Sequence, residues 1–178
     1  MAGRRDGIPI DVGPFLVLRD VRDFIVDGVS VVPVGRLTAV RPSEKIIGRI
    51  LHGEGITDRL DLREPVDFTS FETLFSSLRE TGRFAIVHAA GQDPRPATAY
   101  REMFVGPVLA CSRKNVWIHY FGAGGEWDDR ATKIAYDAID LVEFDSAYAT
   151  VWANYLPPRP EVQVRRKRSA EGPSTSSG

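Results

Sequence analysis

The sequence has few of the residues on which disulfide-bonded, metal-binding and membrane-spanning proteins depend. Its 178 residues include a single cysteine, Cys111, so neither an internal disulfide nor a Cys-x-x-Cys pair can form. Cys111 lies in a predicted strand, where we expect a buried and inert thiol. No run reaches the about 18 apolar residues of a membrane span, and residues 1–14 lack the apolar core of a secretory signal. These absences predict a soluble, cytoplasmic protein that does not contact a membrane.

Patterns of catalytic and metal-binding residues are also missing. His52, His88 and His119 are scattered without the spacing of a metal site, and we expect partly exposed structural histidines. The glycine-rich stretch 122–125 lacks the lysine of a phosphate-binding loop and lies between predicted strands, so it is predicted to be a hairpin tip. We therefore expect no catalytic residue, no metal and no cofactor, and a binding module rather than an enzyme.

The sequence does contain two sets of short apolar runs separated by turn residues, a pattern typical of antiparallel strands. In the first set Asp27-Gly28 is the predicted tight hairpin turn. The predicted strands are 15–19, 24–26, 29–34 and 37–40, then 108–111, 116–121, 132–136 and 139–144. Helices with serine N-caps are predicted after each set, at 43–51 and 146–156. A further helix at 68–83, with Thr69 and Glu72 in capping-box spacing, precedes a strand at 84–88.

The two sets of strands show internal repetition. Gly13-Pro14 corresponds to Gly106-Pro107 at an offset of 93 residues, and the offset rises to 102 after the hairpin. The extra nine residues are the loop 122–130, which takes the place of Asp27-Gly28. Duplication followed by insertion into one loop leaves such a pattern, because the strand registers on both sides are undisturbed. Chance similarity between two valine-rich segments is the alternative.

These patterns predict a mainly β protein of the α+β class. It consists of two related small antiparallel β-barrels, each followed by a short helix, with a helix-strand insert between them. The predicted organisation is a disordered arm (1–11), a first barrel unit (12–52), a connector with the insert (53–100), a second barrel unit (101–156) and a disordered basic tail (157–178).

Three stretches carry a resemblance to a group of uncharacterised bacterial proteins of similar length. They are 23–40, 71–87, and 121–127 with 134–144. The repeats of that group resemble Sm-like or SH3-like small barrels. Sm proteins bind RNA through an aspartate and an asparagine in one inter-strand loop and an Arg-Gly pair in another. Of these residues only Asn115, in the predicted turn after residue 111, is of the expected type, and the resemblance implies no catalytic residue.

Two features of the sequence are candidates for binding a partner. Trp127 lies among glycines beside Glu126 and Asp128, where the indole either anchors a protein partner or folds back on its own barrel. The other feature is a basic cluster in the tail, which consists of Arg165, Arg166, Lys167 and Arg168. From residue 157 onward five basic residues face two acidic ones, a surplus of three, which leaves −4 for residues 1–156 in a chain of net charge −1.

Two functions therefore remain open at the level of sequence. The first is binding of nucleic acid, most simply RNA, through the barrel loops and the basic tail. The alternative is a protein-interaction role, as an adaptor or a toxin-neutralising protein, centred on the Trp127 loop. The acidic body favours the protein-interaction role, whereas the barrel resemblance together with the basic tail favours nucleic-acid binding. The sequence does not determine the partner or the oligomeric state.

Overall fold

The fold is given by a computed structural model, which describes residues 5–62, 64–90, 101–162 and 164. The strands are β1 (Gly7–Val12), β2 (Phe15–Arg22), β3 (Ile25–Pro33), β4 (Phe84–Ala90), β5 (Arg101–Cys111), β6 (Asn115–Ile118), β7 (Thr132–Ala135) and β8 (Ile139–Phe144). The helices are α1 (Lys45–Gly53), α2 (Phe71–Glu80) and α3 (Ala147–Tyr155). Within these described ranges, no helix is long and apolar enough to cross a membrane.

The eight strands form one antiparallel sheet in the order β1-β2-β3-β8-β4-β5-β6-β7. This confirms the prediction of a mainly antiparallel β structure of the α+β class. The strand predicted at 84–88 is β4, which lies inside the sheet because it pairs with β8 on one side and β5 on the other.

The part of the sheet from β8 to β7 must be strongly curved. In sheet order β7 and β8 are four strand spacings apart, about 19 Å in a flat sheet. In the chain they are joined only by the 3-10 turn Tyr136–Ala138, and four extended Cα steps reach at most about 14 Å. The sheet therefore bends until these two strands approach each other. No pairing between them is found in the described residues, so the sheet is open and the two-barrel arrangement stays a prediction.

The N-terminal arm is partly ordered, which corrects the expectation of disorder over residues 1–11. Gly7–Val12 forms β1 and pairs antiparallel with β2, with a register shift between Pro9 and Asp11. A proline is tolerated here because β1 is an edge strand, where a missing N–H costs no ladder hydrogen bond.

The predicted hairpin turn at Asp27-Gly28 is wrong. The chain reverses four residues earlier, at Asp23 and Phe24, which both have positive φ (49° and 64°), as the central residues of a type I′ turn require. Gly28, with φ 83°, instead forms a bulge inside β3. A Cβ at Gly28 would lie 2.9 Å from the carbonyl oxygen of Phe144, so only glycine fits there.

One continuous hydrophobic core contains side chains from both predicted units and from α2. Val17 and Val31 of the first unit and Val116 and Val142 of the second are all fully buried in it. The N-cap of α2 is Ser70, whose side chain accepts from the backbone N–H of Thr73, and not the predicted Thr69. Prediction and structure differ by one residue because either hydroxyl can cap a helix.

Both other helices are less buried than their apolar stripes predict. α1 begins after Glu44 and not after a Ser43 cap, and residues 37–40 before it form no strand. Ser146 does cap α3, accepting from the N–H of Ala149 at 3.2 Å. On α3, Tyr148 is 48% exposed, and Trp152 is half-buried against Phe121.

Candidate nucleic-acid interface

Strand β6 divides its side chains between the core and the outer face of the sheet. Val116 and Ile118 point inward and are fully buried. Asn115 and Trp117 alternate with them, so they lie on the opposite face, where both are half-buried. α2 is the helix that contacts β6, and it packs on the core side. The outer face of β6 therefore presents an indole ring and an amide toward solvent.

One basic side chain lies near this indole ring, and two others lie in the turn that precedes β6. Lys133 of the edge strand β7 pairs directly with Trp117, and its Nζ lies 5.9 Å from the centre of the ring. Arg113 and Lys114 are exposed in the short turn between β5 and β6. That turn is held in place because Lys114 accepts a hydrogen bond from the N–H of Tyr136 at 3.0 Å.

This arrangement suits an unpaired nucleic-acid strand better than a duplex. A base can stack on a half-exposed aromatic ring whatever its identity, while neighbouring lysines and arginines contact the phosphates. A lysine ammonium near the ring adds a cation–π attraction. We refer to Arg113, Lys114, Asn115, Trp117 and Lys133 as the basic strand face.

Of the residues predicted for binding, Asn115 belongs to the basic strand face. Glu126 and Asp128 are exposed in the loop between β6 and β7 and are not part of that face. The backbone of Asp128 is tied down, since its N–H donates to the carbonyl of Tyr120 at 3.1 Å. The loop is thus an ordered structure with acidic side chains on its surface.

Trp127 folds back onto the protein. Its Nε1–H donates to the carbonyl of Pro157 at 2.9 Å, and its ring packs against Phe84, Phe121 and His119. The structure therefore adopts the second of the two conformations left open for this side chain. His119, expected to be partly exposed, is fully buried and donates from Nε2 to the carbonyl of Asp128.

The basic cluster Arg165, Arg166, Lys167 and Arg168 lies outside the described residues. The chain leading to it, from Pro157 to Val162, follows α3 without regular secondary structure.

A polar cluster on the outer face of the sheet was missed by the sequence reasoning. Glu143 of β8 accepts from Nη1 of Arg5 at 2.7 Å and from Nε2 of His88 in β4. Ser30 of β3 pairs with Glu143 in register and donates to Asp20 of β2 at 2.7 Å. The only signal in the sequence is a polar residue at alternate positions of apolar strands. That pattern predicts an exposed face, whereas these side chains are largely buried.

Burial and charge move the two carboxyl groups of this cluster in opposite directions. Desolvation raises the pKa of Asp20 despite the hydrogen bond from Ser30. Burial acts on Glu143 too, but the hydrogen bond from His88 and the nearby Arg5 outweigh it and lower the pKa of Glu143. One oxygen of Asp20, Oδ1, is buried without a partner in the described structure. Asp20 is therefore a carboxylate that the fold holds at a cost to stability.

Replacing Asp20 by asparagine is expected to stabilise the protein at neutral pH. A carboxyl group whose folded pKa is raised contributes stability below its unfolded pKa, and this contribution is lost as the pH rises through the folded pKa. Asparagine does not ionise, so Asp20→Asn removes this loss of stability at neutral pH, and its side-chain oxygen still accepts a hydrogen bond from Ser30. We expect the unfolding midpoint to rise by about 2 to 4 °C near pH 7, as about 1 kcal/mol produces in a chain of this size.

Thermal unfolding followed by circular dichroism from about pH 3 to 8 measures this effect. The gain should shrink as the pH falls toward 3.8, the ordinary pKa of aspartate. Asp129→Asn, at an exposed position in the loop after β6, is the matched control and should leave the midpoint unchanged at each pH. A gain that is equal at all pH values would contradict the electrostatic explanation.

No three or more His, Cys, Asp or Glu side chains of the described residues are grouped so that they could hold a metal ion. Comparison with known proteins adds no identity to this geometry, because no protein-family model, no curated protein and no solved structure matches the chain.

Proposed function

We propose that this protein is a non-enzymatic module that binds single-stranded nucleic acid, most simply RNA, through the basic strand face and the basic tail. The observation that carries the proposal is the position of Trp117 beside Lys133, on a part of the sheet that is open to solvent. Arg113 and Lys114 extend the positive charge along the adjacent turn. An aromatic platform bordered by cations is the arrangement by which sequence-tolerant proteins bind unpaired strands.

We further propose that β4 to β8 form a small barrel of the Sm-like or SH3-like kind and that β2 and β3 belong to a partial copy of it. A repeated local conformation supports this proposal. The 3-10 turns Val34–Arg36 and Tyr136–Ala138 begin 102 residues apart, the offset expected from the duplication. In both, the preceding and following residues are extended, with ψ values of 129° and 130° around the first turn and 140° and 127° around the second.

A protein-interaction role is the second candidate, as an adaptor or a toxin-neutralising protein. The packing of Trp127 against Phe84 removes the reason for placing this role on the Trp127 loop. A different observation favours it, namely the exposed apolar face of α3. Tyr148, Val151 and Tyr155 are 48%, 56% and 83% exposed on a helix that has no charged residue.

Affinity for a fluorescein-labelled single-stranded RNA of about 20 nucleotides, measured by anisotropy at several salt concentrations, tests the first function. Trp117→Ala should weaken binding about 5- to 100-fold at every salt concentration, because stacking is worth about 1 to 3 kcal/mol per base. The double variant Arg113→Gln/Lys114→Gln should weaken binding most at low salt. The logarithm of the binding constant falls linearly with the logarithm of the salt concentration, and this slope should become shallower by about 0.7 for each phosphate that the variant no longer binds. Deleting residues 165–178 should act in the same way as the double variant.

Two variants serve as controls for this experiment. Arg49→Gln removes an exposed charge on α1, which is not part of the basic strand face, and should change affinity less than about 2-fold. Trp127→Ala should also leave RNA affinity nearly unchanged. If wild-type protein binds no RNA at low salt, the nucleic-acid function is rejected. If Trp117→Ala binds as tightly as the wild type, the basic strand face is not the site.

A further inference from the structure

A groove of about 670 Å³ lies on the protein away from the basic strand face. It is formed by the C-terminal end of α2, the start of β4, the middle of β5 and the chain that follows α3. Pockets of about 300 to 1,000 Å³ hold small organic ligands in most proteins. The groove is therefore large enough for a molecule of that class.

The lining of the groove combines apolar surface with positive charge. Large apolar side chains make up much of the lining, among them Leu78, Phe84, Pro107, Val108, Trp127 and Leu156. The charged residues of the lining are three arginines, Arg79, Arg83 and Arg159, and no aspartate or glutamate is among the residues that line it. An anionic ligand with an apolar body has the matching chemistry.

The three arginines differ in their availability to a ligand. The side chain of Arg83 is only 10% exposed, and its Nε lies 3.3 Å from Asp145 Oδ1, so its charge is already compensated. Arg79 and Arg159 are exposed, and neither forms an ion pair within the described residues. These two guanidinium groups leave the groove with positive charge that no described side chain neutralises through an ion pair.

We infer that this groove binds an aromatic anion of the size of a nucleoside monophosphate. Its flat ring lies on the apolar floor formed in part by Phe84 and Trp127, and its phosphate is held by Arg79 and Arg159. Arginine guanidinium groups bind phosphate through charge-assisted hydrogen bonds, which are about twice as strong as neutral ones. A free phosphate would leave the floor unfilled, and a neutral ring would leave both arginines without a partner. The site is separate from the basic strand face and does not depend on it.

Isothermal titration calorimetry of the full-length protein with AMP, GMP, UMP and CMP tests this site. At least one nucleotide should bind, and it should bind at least 10-fold more tightly than its nucleoside or than ribose 5-phosphate. The nucleoside keeps the ring without the phosphate, and ribose 5-phosphate keeps the phosphate without the ring. Arg79→Gln and Arg159→Gln should each lower the affinity about 10-fold, the loss expected for one hydrogen bond to a charged group.

Variants of the groove and of the basic strand face distinguish failure of the nucleotide site from failure of the proposed RNA-binding function. Arg113→Gln/Lys114→Gln should leave nucleotide binding unchanged, and Arg49→Gln should too. Absence of binding by all four nucleotides at about 1 mM would overturn the inference. Equal affinity for ribose 5-phosphate would also overturn it, because the site would then hold only an anion. Normal binding by both Arg79→Gln and Arg159→Gln would show that the nucleotide binds elsewhere.

Discussion

Replacing Gly106 by alanine should destabilise the protein by about 2 to 5 kcal/mol or prevent it from folding. Gly106 lies in β5 with φ 157°, and a Cβ built on it would be 2.1 Å from the carbonyl oxygen of His119. Backbone atoms cannot move aside as a flexible side chain can. Overpacking costs about 1 to 3 kcal/mol, and strained backbone conformations cost a similar amount.

Gly13 provides a matched control within the same chain. Both glycines precede a proline, but a Cβ on Gly13 meets nothing within 4 Å. Gly13→Ala should therefore change the free energy of unfolding by less than about 0.5 kcal/mol. Urea unfolding of both variants measures the difference. Equal stability of Gly106→Ala and Gly13→Ala would show that β5 and residue 119 do not approach each other as closely as the structure has them.

Replacing Phe75 by alanine should cost about 3 to 5 kcal/mol, the range for removing a buried aromatic side chain. Phe75 of α2 is fully buried and stacks on Phe71 and Tyr136 at centroid distances of 6.0 and 5.9 Å. Phe71 in turn contacts Phe15 of β2 at 4.8 Å. This aromatic group joins α2 to both halves of the sheet, so the cavity would open where the two halves meet.

The melting temperature of Phe75→Ala should fall by about 6 to 20 °C, since about 1 kcal/mol corresponds to 2 to 4 °C in a chain of this size. Tyr155→Ala is the control, because Tyr155 is also aromatic and helical but 83% exposed. We expect that variant to stay within about 1 °C of the wild type. A melting temperature of Phe75→Ala equal to that of the wild type would mean that α2 does not pack on the sheet.

The candidate site could be predicted from the sequence only in part. Asn115 is identified by its place in a loop, and it does lie on the basic strand face. Trp117 lies in a predicted strand but was not among the predicted binding residues. The alternation of side chains along a strand shows that the strand has two faces, but it does not show which face the rest of the protein covers. Trp127 stands out because glycines precede it, yet it also contacts Phe84 and Pro157, which are distant in sequence.

The sequence by itself determined the local elements of this protein. β4, the last four residues of β5, β6, β7, β8 and the Ser146 cap all follow from apolar alternation and from turn and capping residues, which act over a few positions. Tertiary structure alone decided the role of Asp27 and Gly28. The Asp-Gly dipeptide suits a hairpin turn and a β-bulge equally well. The bulge forms here because β8 and α3 lie against it. There Asp27 Oδ1 accepts from the N–H of Ala147 at 2.7 Å, and the missing Cβ of Gly28 leaves room for Phe144. Local propensity contains no information about such a contact, since its two sides are about 120 residues apart in the chain.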